Sequence, residues 1–171
     1  LDHLVDMVRP GLKTKALDDE AMKFLKQHGV QPAFLGYRGY PASICVSVNE
    51  EVVHGIPGER EIHQGDIVSI DAGAVFEGYY ADAATTTAVG RVPAGTKQLI
   101  ETTRQALDQG IAKATAGQRL YDISHAVQVV IEAAGFGIVR DFVGHGIGQA
   151  MHEDPPIPNF GPPNMGPRLK P

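Results

Sequence analysis

Two aspartates stand where β-strands ordinarily place apolar side chains. The stretch Gly65–Gly90, G-D-I-V-S-I-D-A-G-A-V-F-E-G-Y-Y-A-D-A-A-T-T-T-A-V-G, reads as two strands, Asp66–Val75 and Tyr79–Val89, around a turn at Glu77 and Gly78. A two-residue loop sets Phe76 opposite Tyr79 and Asp71 opposite Ala84. Asp82 is then the diagonal neighbour of Asp71 on the same face. A change of one residue in the loop would send them to opposite faces. Adjacent carboxylates in a sheet stay ionised only beside a cation, and otherwise one of them takes up a proton. A divalent metal is the simplest such cation. The blander reading has the pair hydrogen-bonded to turn backbone and to Thr85–Thr87.

Histidines at element ends tilt the balance toward a metal. His54 precedes Gly55, His145 lies in G-H-G-I-G, and His152 lies in A-M-H-E-D-P beside Glu153. Oxygen-rich ligation with an imidazole suits Mn, Fe, Co or Zn better than a structural thiolate zinc site, for which cysteines are lacking. His3, His28, His63 and His125 fall on helix faces or a turn and read as structural. Cys45, alone in a Val/Ile strand, reads as packing rather than as a nucleophile. A phosphate-binding P-loop and a G-x-S-x-G nucleophile elbow are absent. Gly144, Gly146 and Gly148 lack the G-x-G-x-x-G spacing of a dinucleotide site.

The elements that must position these residues follow from periodicity and punctuation. Leu1–Val8 is apolar on one helical face and is ended by Pro10-Gly11. Thr14 is the expected N-cap of a helix over 15–28, with Leu17, Ala21, Phe24 and Leu25 inward and Gly29 as its stop. Residues 32–41 read as a loop rich in Gly and aromatics, and Ile44–Val53 as a strand. Helices are expected over 96–114 and 121–134, the second with Ile123, Ala126, Val127, Val130 and Ile131 inward. Val139–Val143 reads as a short strand, and the Pro-rich tail from Asp154 as loop. Gly11 and Gly117 are separated by the same interval as Gly29 and Gly135, and the apolar positions between each pair coincide. A duplicated unit of helix, helix, strands and Asp hairpin is therefore expected.

The bulk properties set limits. At 171 residues, 43% hydrophobic and 20% charged, the chain fits one ordinary globular domain with a sizeable core. A net charge of -5 gives no general reason to expect nucleic-acid binding. The single cysteine rules out an intramolecular disulfide and fits a reducing compartment. No apolar run approaches the roughly 20 residues of a membrane span, and Leu1–Val8 is not a signal peptide. The sequence opens like a helix already under way and stops at Leu169-Lys170-Pro171, so both ends read as cut.

The motifs L-G-Y-R-G-Y-P, I-C-V-S-V-N-E-E-V-V-H-G-I-P-G, G-D-I-V-S-I-D-A-G with the following Asp82, and G-H-G-I-G-Q-A-M-H-E-D-P resemble the bacterial type I methionine aminopeptidases. The resemblance runs through nearly all of the chain. It implies an α+β pita-bread fold with two pseudo-symmetric helix/β-hairpin halves, the second incomplete here. It also implies two divalent metal ions (Co, Mn, Fe or Zn) held by Asp71, Asp82, His145 and two glutamates. One glutamate follows an L-K-P-G segment and one lies near the C-terminus, so the 171 residues alone are expected to turn over little or nothing. His54 would contact substrate near the scissile amide, and His152 would donate to the carbonyl oxygen as it gains charge. Tyr37, Tyr40, Cys45 and Met151 would line the methionine pocket, with His54 and His152 also touching substrate. The implied substrate is a new polypeptide beginning with Met and a small residue, met in the cytoplasm near the ribosome by a monomer. Nucleic acid and membrane are not implied as partners. Two alternatives stand beside this: a non-catalytic pita-bread module that binds peptide or protein, and a related exopeptidase specific for proline.

Overall fold

The computed structural model describes residues 1–171 and divides into two compact units. One comprises Leu1–Pro93 with Ile147–Met151, the other Ala94–Gly146 with His152–Pro171.

In the first unit, helices α1 (Asp2–Met7) and α2 (Thr14–Gln27) precede a four-stranded antiparallel sheet. Its strands are β1 (Gln31–Pro32), β2 (Ile44–Val48), β3 (Ile67–Phe76) and β4 (Tyr79–Ala88). The central strand is β3. It pairs with β4 along one edge and with β2 and the short β1 along the other. Period-two alternation sorts the side chains of this sheet onto two faces. Ile44, Val46, Val48, Val68 and Ile70 are buried with Leu4, Leu17 and Ala21 of the helices. Cys45, Ser47, Asp71 and Gly73 point the other way. Glu77 and Gly78 both have positive φ, 50° and 81°, as a tight two-residue hairpin turn requires.

Two expectations for this unit are corrected. The strand expected over 44–53 stops at Val48, because Asn49 turns into the left-handed region at φ 57°. Its amide side chain binds Asp66 Oδ1 and the Ile67 backbone instead of continuing the ladder. Thr14 is not the N-cap. Lys13 holds that position, while Thr14 is buried in the first turn and latches a loop. Its Oγ1 accepts from the Gly58 N–H at 2.9 Å and donates to the Gly58 carbonyl at 3.2 Å.

The second unit holds α3 (Ala94–Lys113), α4 (Leu120–Ala133) and a two-stranded antiparallel ribbon, β5 (Gly144–Gly146) with β6 (Glu153–Ile157). Here too the sequence expectation shifts. Residues 139–143 form no strand, and part of the supposed loop tail does. Pro155 and Pro156 argued against a strand because they carry no N–H to donate. In a two-stranded ribbon every strand is an edge strand, where proline is tolerated. No helix is long and apolar enough to cross a membrane.

The duplication is visible in the backbone. Helices α2 and α4 differ by 106 residues at both ends. Their first turns are tied down alike by a returning segment. Thr14 N donates to Arg60 O at 2.9 Å, and Leu120 N to Pro167 O at 3.0 Å. Lys15 N donates to Gly58 O, and Tyr121 N to Met165 O. Gly11 N meets Ile62 O, and Gly117 N meets Leu169 O. The returning segments satisfy helix N–H groups that would otherwise lack partners.

Candidate active site

The hairpin register is the one the two-residue loop demands. Asp71 lies opposite Ala84, and Asp82 lies opposite Gly73, one diagonal step away on the same face. The two carboxyl groups meet there. Burial, together with the Asp82 carboxylate, pushes the Asp71 carboxyl up to about 7. Asp71 Oδ1 is buried and receives no hydrogen bond. A buried carboxylate oxygen with no donor is costly unless an ion completes its shell. This orphaned oxygen, beside a second carboxylate, is what a divalent cation would satisfy, so the pair fits a metal.

Cys45 is the direct cross-strand neighbour of Asp71. It is buried with Ala33, Phe34 and Met151, and Tyr37, Tyr40, Val75 and Tyr80 pack against this cluster. The structure thus brings all four expected pocket residues into one apolar group. Gly73 makes room for it: a Cβ there would lie 2.4 Å from the Phe34 ring. Burial pushes the Cys45 thiol up to about 11, which keeps it protonated and suits packing rather than nucleophilic attack. The Tyr40 phenol is likewise raised by burial, and its single hydroxyl proton is shared between the carbonyls of Gly55 at 2.9 Å and Ile44 at 3.1 Å.

His54 lies in the exposed connection after β2, at φ 61°. A left-handed conformation costs a residue with a Cβ roughly 1–2 kcal/mol, so its surroundings must hold it there. In the second unit, His145 and His152 flank the 147–151 segment and lie with ring centroids 4.2 Å apart, their planes tilted by 39°. His145 Nδ1 is 2.8 Å from the Gly146 carbonyl. That contact places the proton on Nδ1 and makes Nε2 the basic nitrogen, the tautomer typical of a metal-ligating histidine. No group of three or more His, Cys, Asp and Glu side chains is assembled as a metal-holding cluster. The pairs that the structure brings together are Asp71 with Asp82 and His145 with His152.

The whole chain, residues 1–171, matches the family described as metallopeptidase family M24. The chain belongs to this family. It is 52% identical over 170 residues to methionine aminopeptidase 1 of Bacillus subtilis (strain 168), covering 99% of this chain and 68% of that protein. It is 49% identical to the methionine aminopeptidase of Clostridium acetobutylicum, with the same coverage. The crystal structure of methionine aminopeptidase from Thermotoga maritima superposes with a TM-score of 0.98 at 44% identity, over 99% of this chain and 69% of that one. The fold is therefore the pita-bread fold of this metallopeptidase family, and membership implies divalent metal ions.

Sequence reading missed the polar groups that brace the site. Asp18 accepts from Ser43 N–H, Ser43 Oγ and Ile44 N–H at the start of β2. Ser47 Oγ accepts from Gly55 N–H at 3.1 Å. The available signal was a polar residue inside each apolar pattern: Asp18 after Leu17, and Ser47 between Val46 and Val48.

Proposed function

We propose that the protein removes N-terminal methionine from new polypeptides by metal-assisted hydrolysis of the first peptide bond. The observation that carries this reading is the orphaned Asp71 oxygen beside Asp82, in a chain about half identical to named methionine aminopeptidases. Asp71, Asp82 and His145 are the ligands assigned to two divalent ions, drawn from Co, Mn, Fe and Zn. When bound, such ions polarise a carbonyl and make water nucleophilic at neutral pH. Tyr37, Tyr40, Cys45 and Met151 receive the methionine side chain, since an apolar, sulfur-tolerant cluster suits a thioether. His54 holds the substrate near the scissile amide. His152 donates to the carbonyl oxygen as negative charge develops on it. The enzyme works as a monomer in the cytoplasm, where nascent chains leave the ribosome.

The test is hydrolysis of Met-Ala-Ser by the metal-loaded protein in its full length, with the two glutamates that the family resemblance implies, followed as released methionine. Release that stops on chelation and returns with added metal is expected. Failure with all four metals, with the peptide still bound, would hand the fold to the non-catalytic peptide-binding reading.

A further inference from the structure

Residues 51–57, which carry His54, form neither helix nor strand. Val52, Val53 and Ile56 are exposed. The loop is tied at its start by Glu51, whose carboxylate accepts from Val48 N–H and from Arg60, each at 2.8 Å, and again at Gly55. The Gly55 carbonyl accepts from Val46 N–H at 2.9 Å and from the Tyr40 hydroxyl at 2.9 Å. Its N–H donates to Ser47 Oγ at 3.1 Å. A Cβ at this position would lie 2.3 Å from the Val46 carbonyl oxygen, so only glycine can approach the outer edge of β2 this closely. The residue just before this clamp is His54, held in the left-handed region at φ 61°.

We infer that the hydroxyls of Ser47 and Tyr40 are positioning groups for His54. By fixing Gly55 against β2 they impose the backbone geometry that aims the imidazole. Ser47 is 4% exposed, on the face opposite to Val46 and Val48 and across from Ser69. What its hydroxyl adds is an acceptor for the Gly55 N–H. Tyr40 acts through its hydroxyl in this role, separately from the ring that packs in the apolar cluster. The inference rests on the reading of His54 as a substrate-contacting group, but its structural part stands without it.

The experiment compares Ser47→Ala and Tyr40→Phe with the intact protein. By NMR, Gly55 amide exchange is expected to speed up about tenfold in Ser47→Ala, with Val46 and Ile70 unchanged, as local opening predicts. The His54 backbone coupling constant should move away from its left-handed value. In the metal-loaded protein, kcat for Met-Ala-Ser should fall by about tenfold, as sub-ångström misplacement of a reacting group allows, while KM stays within about twofold. In a His54→Ala background, Ser47→Ala should cost nothing further. Unchanged Gly55 exchange and His54 coupling in both variants would overturn the inference, as would additive losses with His54→Ala. If the unmodified full-length protein, with both implied glutamates, shows no turnover, the aminopeptidase reading fails and the NMR results alone decide this one.

Discussion

Helices α2 and α4 begin and end at equivalent positions of a repeat, and returning backbone anchors both in the same way. What lies beneath them differs. Under α2, Leu17 and Ala21 are sealed against five buried residues of β2 and β3. The equivalent Ile123 and Val127 of α4 are only half-buried. Asp18 ties α2 to the start of β2 through three hydrogen bonds. Its counterpart Ser124 is buried with its hydroxyl unpaired. The pair teaches that helix frame and floor are separable. Capping by a returning strand sets where each helix starts, while burial sets how much each side chain contributes. Within residues 1–171 the first unit's floor is a four-stranded sheet whose second face carries the carboxylates.

The contrast is sharpest for core truncation. Leu17→Ala should cost about 3 kcal/mol in urea unfolding, as for a fully buried leucine, against about 1 kcal/mol for Ile123→Ala, which has less area to lose. Equal losses would break the comparison. Asp18→Ala strands buried donors and should cost about 2–3 kcal/mol. Ser124→Ala removes an unpaired hydroxyl and should shift stability by less than about 0.5 kcal/mol, or raise it.

The units also separate by pH. The Asp71 carboxyl is held up at about 7 against an ordinary 3.8, so the metal-free first unit favours the protonated form. Its contribution is present at low pH and is lost as pH rises toward and through 7. Asp122 is the reverse case. The N–H groups of Asn164 and Arg119, each 2.7 Å from its carboxylate, hold it below the ordinary range. Its contribution is present above pH 4 and is lost on further acidification. Hydrogen exchange in β3 and at the start of α4, followed from pH 3 to 8 without metal, should therefore change in opposite senses. Asp122→Ala should remove the α4 trend and leave the β3 trend.

Much of this was legible in the sequence. The Glu77-Gly78 turn alone fixed the hairpin register, and with it the meeting of Asp71 and Asp82, because side-chain period two leaves no other choice. Apolar periodicity and the flanking glycines gave both helices to within a residue or two. Proline misled at Pro155 and Pro156, because local propensity cannot tell an edge strand from a loop. The shortening of β2 and the latch at Thr14 depend on Asp66 and Gly58, partners distant in sequence that no local pattern marks. The clamp on Gly55 was hidden for the same reason: the G in H-G-I-P reads as a turn residue, and its tight approach to Val46 exists only once β2 is laid beside it.

The central claim is that Asp71 and Asp82 form a metal-binding pair rather than a structural one. Calorimetric titration of the intact, metal-free protein with Mn or Co, repeated on Asp71→Asn, tests it directly. The account predicts binding that weakens by about 100-fold or more in the variant, since even outer-shell partners of metal ligands are worth 10–100-fold. It also predicts proton release on binding that is larger at pH 6 than at pH 8, because the metal displaces the proton Asp71 holds below about 7. Absence of binding in the unmodified protein, or equal affinity in Asp71→Asn, would contradict it.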